Sequence, residues 1–192
     1  GVRLSADEKA LLNKLQQATA LLQFKLESQL IERRPDFQLE HRDLLHFIDF
    51  SQNKIELAGE TYDLIDFQAP TINPEQPASL TEEEEKIIAH LLNNFKTSDK
   101  LKRHVGFLQE KGAMYLSYNG NLLIHGCLPL HENGDFKSFT IDKKAYAGRD
   151  LLDFFDSEVR KCLAHPEESE DLATDLMWYL WAVSYTHLTL PT

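Results

Sequence analysis

The chain has 192 residues, a formal net charge of −11 and a hydrophobic fraction of 42%. That length suits one domain or one and a part, and that fraction is enough to bury a core. The acidic balance argues against a general nucleic-acid binder and against an anionic-membrane binder, because phosphate backbones and headgroups are repelled. An anionic sugar phosphate would need metal ions or a local basic patch to reverse the sign. No apolar run approaches membrane-spanning length. Cys127 and Cys162 form neither a CxxC motif nor a disulfide framework, so a reducing cytoplasm is expected. The chain opens at Gly1 without an initiator Met or leader, and reads as an excerpt of a longer product.

Ser5-Ala6-Asp7-Glu8 reads as a capping box. Behind it Leu11, Leu15, Leu22 and Leu26 recur at helical spacing, with Leu12, Ala18 and Leu30 widening the stripe. The helix should end near Arg33, because Pro35 disfavours helix at the residue before it. A shorter helical stretch is expected from Glu40 to Ile48. Lys54 to Leu57 and Thr61 to Ile65 then alternate around Ala58-Gly59-Glu60 as a small hairpin. Pro70, Pro74 and Pro77 mark a loop. Thr81 and Glu84 form a second capping box, and Glu82 to Glu85 place negative charge on the positive end of a helix dipole. Ile87, Ile88, Leu91, Leu92 and Phe95 are the expected buried face. A third helix follows Ser98, with Leu101, Val105 and Leu108 inward and Gly112 as its C′ residue.

The pattern then turns strand-like. Met114 to Tyr118 and Asn121 to Cys127 flank Asn119-Gly120, the dipeptide that suits a type I′ hairpin turn. Another strand is expected from Phe136 to Ile141 after the Asn133-Gly134 turn. Helices should cover Asp150 to Leu163 and Asp171 to Trp181, divided by His165-Pro166, with Trp178 and Trp181 in the core. No phosphate-cradling glycine loop, dinucleotide fingerprint, H-E-x-x-H or G-x-S-x-G motif occurs.

One segment carries chemistry. In Asn121-Leu122-Leu123-Ile124-His125-Gly126 an apolar strand delivers a histidine at its C-terminal end, followed at once by glycine. Imidazole is a good ligand for Mn, Fe or Zn, and glycine lets other backbone or substrate approach. By spacing alone, a hydrogen-bonded, partly buried histidine at a strand end is the better reading. Arg33 and Arg34 sit before Pro35: guanidinium forks fit phosphate oxygens, but two cations relieving a helix C-terminal dipole explain them slightly better. Lys100, Lys102, Arg103 and His104 read as a solvated helix face. His131 reads as a loop histidine and Cys127 as a structural thiol. The spacing of Asp175 assigns it no role.

The strings LLQFKLESQLIERRPDF (Leu21 to Phe37), LTEEEEKI (Leu80 to Ile87), KLKRHVGFLQEKGAMYLSYNG (Lys100 to Gly120), NGNLLIHGCLPL (Asn119 to Leu130), YAGRDLLDFF (Tyr146 to Phe155) and HPEESEDLATDLMWYLW (His165 to Trp181) resemble, in collinear order, the class III fructose-1,6-bisphosphatases. The resemblance covers nearly everything from Ser5 to Trp181. That family is similar to calcineurin-like metallophosphatases, which build a two-metal site at the strand ends of a β-sandwich. The resemblance implies an α+β fold: a mostly helical region over 1–112 with a small hairpin, and a partial metallophosphatase core over 113–182. It implies His125 as a metal ligand, two divalent ions with Mn expected, and fructose 1,6-bisphosphate as substrate of the intact enzyme, whose 1-phosphate would be hydrolysed in gluconeogenesis. It also keeps Arg33 and Arg34 as substrate-binding candidates.

The family's D-x-H, G-D-x-x-D-R-G, G-N-H-[DE] and G-H-T motifs do not occur here. Too few ligands remain to hold two ions, so this chain by itself is expected to be inactive. Residues 183–192 depart from the family pattern and resemble translated sequencing-adapter sequence, and His187 within them is assigned no function. Two other readings stand beside the phosphatase: a non-catalytic binding or scaffold module, favoured for the isolated chain by its acidic, helix-rich character, and another calcineurin-like phosphoesterase acting on phosphoprotein or nucleotide. A core cut through its sheet should expose apolar faces and dissolve poorly.

Overall fold

The computed structural model describes residues 5–124 and 128–183. The chain divides into two compact units between Asn93 and Asn94. Helices and small antiparallel sheets alternate along it, so the α+β class holds. Among the described residues no helix is long and apolar enough to cross a membrane.

The first unit is organised around α1 (Ala6–Arg33). Its start is the expected capping box: the Glu8 N–H donates to Ser5 Oγ at 3.2 Å and the Ser5 N–H donates to Glu8 Oε2 at 2.8 Å. Pro35 stops it, and the chain continues through three short 3-10 turns, Pro35–Phe37, Glu40–Arg42 and Leu44–Phe47. These replace the continuous helix expected from Glu40 to Ile48. Phe37, Leu39 and Leu45 are buried there, which anchors the turns. A three-stranded antiparallel sheet follows: β1 (Ile48–Asp49), β2 (Lys54–Leu57) and β3 (Glu60–Asp63), with Ile55 as its buried residue. The tight turn joining β2 and β3 uses Ala58 and Gly59, both at positive φ.

Of the expected leucine stripe of α1, Leu30 alone is buried. Leu11, Leu15 and Leu26 are exposed, whereas Leu21, Lys25, Ser28, Leu30 and Ile31 are buried. Periodicity shows which face could bury; burial also requires a facing surface, and the described chain supplies one only to the C-terminal half of this helix, on the side bearing Lys25 and Ser28. The Lys25 amine donates to Glu84 Oε2 at 2.7 Å and to the Thr71 carbonyl at 2.8 Å, which ties the proline-containing loop and the next helix to α1.

That next helix, α2 (Glu82–Thr97), starts at the second expected capping box: the Thr81 N–H donates to Glu84 Oε2 at 2.8 Å and the Glu84 N–H to Thr81 Oγ1 at 3.3 Å. Of its expected buried face, Ile88 is half-buried and Ile87, Leu91, Leu92 and Phe95 are exposed. The same holds for Leu101 and Leu108 on α3 (Asp99–Lys111). The physical reason is again the lack of a covering surface over an amphipathic stripe. Gly112 does end α3, but with extended backbone (φ −79°). Its glycine is required by close approach, since a Cβ there would run into the Leu108 carbonyl oxygen.

In the second unit β4 (Tyr115–Tyr118) and β5 (Asn121–Ile124) form the expected hairpin, with Tyr115 opposite Ile124 and Tyr118 opposite Asn121. Asn119 and Gly120 take positive φ at the turn. A second two-stranded ribbon joins β6 (Phe139–Ile141) to β7 (Lys144–Tyr146), a strand the sequence reading missed. Two helices, α4 (Gly148–Ala164) and α5 (Leu172–Val183), pack together over Leu151, Leu152, Phe155, Ala173 and Leu176. Phe139, Phe155 and Tyr179 add an aromatic cluster, with Phe139 and Tyr179 centroids 5.0 Å apart. Trp181 is a correction to the expected core: it is 72% exposed. Its neighbour one turn back, Trp178, is half-buried, so the covered arc of α5 ends short of Trp181.

The division between the two units falls inside α2, and α3 packs with α4. Arg160 donates to the Gln109 and Gly112 carbonyls at 2.7 and 2.9 Å while its Nε pairs with Asp156. Of residues 183–192, read as an adapter-like tail, Val183 ends α5 and 184–192 lie outside the described residues.

Candidate functional site

Charged groups converge where α1 ends. Arg34 is the C-cap residue, and its N–H closes the helix on the Leu30 carbonyl at 2.9 Å. Its guanidinium pairs with Asp36 at 2.7 Å and stacks over the Phe37 ring at 5.0 Å. Most of this fork is committed to its own loop, which is the geometry of a helix-end cation. Arg34 Nε is buried and makes no hydrogen bond within the described structure. Arg33 is exposed and engaged with a neighbour of its own.

One turn earlier on α1 stand Ser28 and Glu32, four residues apart and therefore on one face. The 3-10 turns fold back so that Asp43 meets Ser28, whose hydroxyl lies 2.9 Å from each Asp43 carboxylate oxygen. Asp43 is buried. His46 lies three residues on, the spacing that aligns side chains along a 3-10 turn. Its Nδ1 is 2.7 Å from Asp43 Oδ2, and its Nε2 is 3.8 Å from Glu32 Oε1. Donor atoms of Glu32, Asp43 and His46 all lie within 4.8 Å of one another, a mixed nitrogen and oxygen set able to hold a metal ion. Sequence reasoning missed this group. Asp43-Leu44-Leu45-His46 was a visible signal, but nothing in the letters brings Glu32 to it.

The ligand expected from the sequence, His125, comes after β5, since that strand ends at Ile124. His125 and Cys127 lie outside the described residues. Beyond them the chain is organised again: Leu130 and Phe136 form an antiparallel bridge, and the Lys137 N–H donates to the Pro129 carbonyl at 2.9 Å. His131 is exposed in that turn, and Lys100, Lys102, Arg103 and His104 are exposed along α3, as expected. Asp175 is fully buried and partnered on α5.

An open groove along α4 is lined by Lys144, Asp150, Asp153 and Glu158 among others. Three carboxylates against one ammonium repel phosphate, so this groove does not suit a sugar bisphosphate. The Cys162 thiol beside α5 is pushed up by burial, against a weak contact from Thr174, and is a poor nucleophile.

Comparison with known proteins gives a consistent answer. Over 181 residues the chain is 99% identical to the class 3 fructose-1,6-bisphosphatase of Lactococcus lactis subsp. cremoris, a match covering 94% of this chain and 28% of that protein. It is 84% identical to the class 3 enzyme of Lactococcus lactis subsp. lactis, with the same coverage. It is 47% identical to that of Staphylococcus epidermidis over 97% of this chain and 29% of the relative. The chain thus spans little more than a quarter of the length of these relatives. No solved structure matches it. The profile of the Firmicute fructose-1,6-bisphosphatase family matches residues 2–189. By that near-complete match, the chain belongs to the Firmicute fructose-1,6-bisphosphatase family.

Proposed function

We propose that this chain is a segment of a metal-dependent phosphatase that hydrolyses the 1-phosphate of fructose 1,6-bisphosphate in the cytoplasm, as a step of gluconeogenesis. The observation that carries the proposal is the family match over residues 2–189, together with 99% identity to a relative named for that activity. In the intact enzyme two divalent ions, Mn among the fitting choices, would supply an activated water and neutralise developing charge on the phosphoryl group. His125, the residue after β5 in the sequence, would hold one of them. A two-metal centre also needs a bridging carboxylate, and the motifs that would carry it do not occur in this sequence. Among the described residues one group of three side chains, Glu32, Asp43 and His46, has ligating atoms close together.

Arg33 and Arg34 would contact a substrate phosphate. The buried, unbonded Nε of Arg34 supports this, because a guanidinium donor left dry costs free energy until an acceptor meets it. The test uses the intact parent protein with fructose 1,6-bisphosphate. His125→Ala should lower both bound metal and phosphate release, and Arg34→Lys should raise KM. Unchanged metal stoichiometry and turnover in His125→Ala would refute the ligand assignment. Release of phosphate from phosphopeptides or nucleotides, but not from sugar bisphosphates, would refute the substrate.

A further inference from the structure

We propose that His46 and Glu32 form a site for one divalent transition-metal ion, and that Asp43 positions the imidazole for it. Asp43 is buried and its carboxylate is held by Ser28 through both oxygens. It faces His46 Nδ1 at 2.7 Å, so the Nδ1–H is donated there. A neutral imidazole that donates from Nδ1 carries its lone pair on Nε2, which makes that atom a ligand. A carboxylate behind an imidazole is the usual way a metal-binding histidine is fixed in tautomer and orientation.

Nε2 lies 3.8 Å from Glu32 Oε1. Bonds from such an ion to nitrogen or oxygen are roughly 2.1 Å. Two such bonds exceed the separation, so one ion reaches both atoms without movement of the backbone. Asp43 stands on the opposite side of the ring from an ion at Nε2, and acts as the positioning residue, not as a third ligand. Glu32 and His46 are both about half exposed, which gives an ion access and lets water complete its coordination. With the imidazole neutral, the local charge is that of two carboxylates. Glu32 also sits in the last turn of α1, where the negative end of the helix dipole favours a cation. Three features therefore agree: ligand spacing, an orienting carboxylate, and a field of the right sign. Binding would pin the turn Leu44–Phe47 to α1. The site does not depend on the phosphatase reading and is tested on the 192-residue chain itself.

The experiment is zinc titration of that chain, followed by calorimetry and by NMR of the imidazole signals of its 8 histidines. Manganese serves as a paramagnetic probe in a parallel sample. One equivalent of zinc should shift the His46 ring signals, and manganese should broaden them first. His46→Gln should abolish this binding, and Glu32→Gln should weaken it at least tenfold. Asp43→Asn should weaken it by about 10–100-fold, the usual effect of losing an orienting partner. Because Asp43 is buried and its variant can misfold, the exposed Glu32→Gln change is the deciding one. No response of His46 to millimolar zinc would overturn the proposal, as would zinc binding in His46→Gln equal to that of the parent. A His46 ring that answers to pH but not to zinc would show an imidazolium bridge between two carboxylates and would equally overturn it.

Discussion

Replacing Glu84 with alanine strands the ammonium of Lys25. Lys25 is wholly buried, the Glu84 side chain is 9% exposed, and their 2.7 Å contact spans α1 and α2. Thr71 and Thr81 hold the same carboxylate, through the Thr71 hydroxyl at 2.6 Å and the Thr81 N–H at 2.8 Å. Removing one partner of a buried pair leaves an uncompensated charge and costs about 3–5 kcal/mol. For a unit of this size each kcal/mol lowers Tm by roughly 4–8 °C, so Glu84→Ala should lose on the order of 12 °C or more. Both tryptophans lie in the other unit, so the fitting readout is amide hydrogen exchange along α1 with urea unfolding beside it. Lys25→Met combined with Glu84→Gln removes both charges while keeping an acceptor for Thr81. It should recover to within about 2 kcal/mol of the parent, since a buried pair contributes little beyond an apolar replacement. Burial alone would raise the Glu84 carboxyl, but Lys25, Thr71 and the Thr81 N–H together hold it below its ordinary 4.5. The unfolded chain then binds the proton more tightly. Stability from this group is present above pH 4.5 and is lost as pH falls through the lower folded value. A loss under 1 kcal/mol in Glu84→Ala, with unchanged acid sensitivity, would refute the reasoning.

Gly112→Ala should destabilise the end of α3 by about 1–3 kcal/mol through the clash with the Leu108 carbonyl, seen as faster exchange of the Gly112-position amide that now bonds Leu108 at 2.7 Å. Lys143 holds φ +67° in the turn between β6 and β7, where glycine has no steric cost; Lys143→Gly should stabilise the second unit by about 1 kcal/mol in urea unfolding. Burial pushes the Tyr179 phenol up to about 12. Its phenolate absorbance should appear only well above the range of an ordinary phenol. The folded form keeps its proton where the unfolded form has lost it, so this residue makes stability fall as pH rises from about 10 towards 12.

Local signals in the sequence determined a good part of this chain. Ser5 with Glu8 and Thr81 with Glu84 marked two helix starts, and Asn119-Gly120 marked a hairpin, because caps and tight turns are settled by residues a few positions apart. The β6–β7 turn was not legible, since Asp142-Lys143 takes left-handed backbone without a glycine to announce it. Apolar periodicity named the stripes of α1, α2 and α3 but not their burial, which depends on a facing surface that no local pattern encodes. The family and the expected role of His125 came from long collinear strings of letters. The assembly at the end of α1 came only from the tertiary structure. Glu32 reaches His46 because Pro35 breaks the helix and buried Phe37, Leu39 and Leu45 turn the chain back on itself. Lys25 likewise finds Glu84 across 59 positions, and partners so far apart are decided by packing free energy, not by spacing.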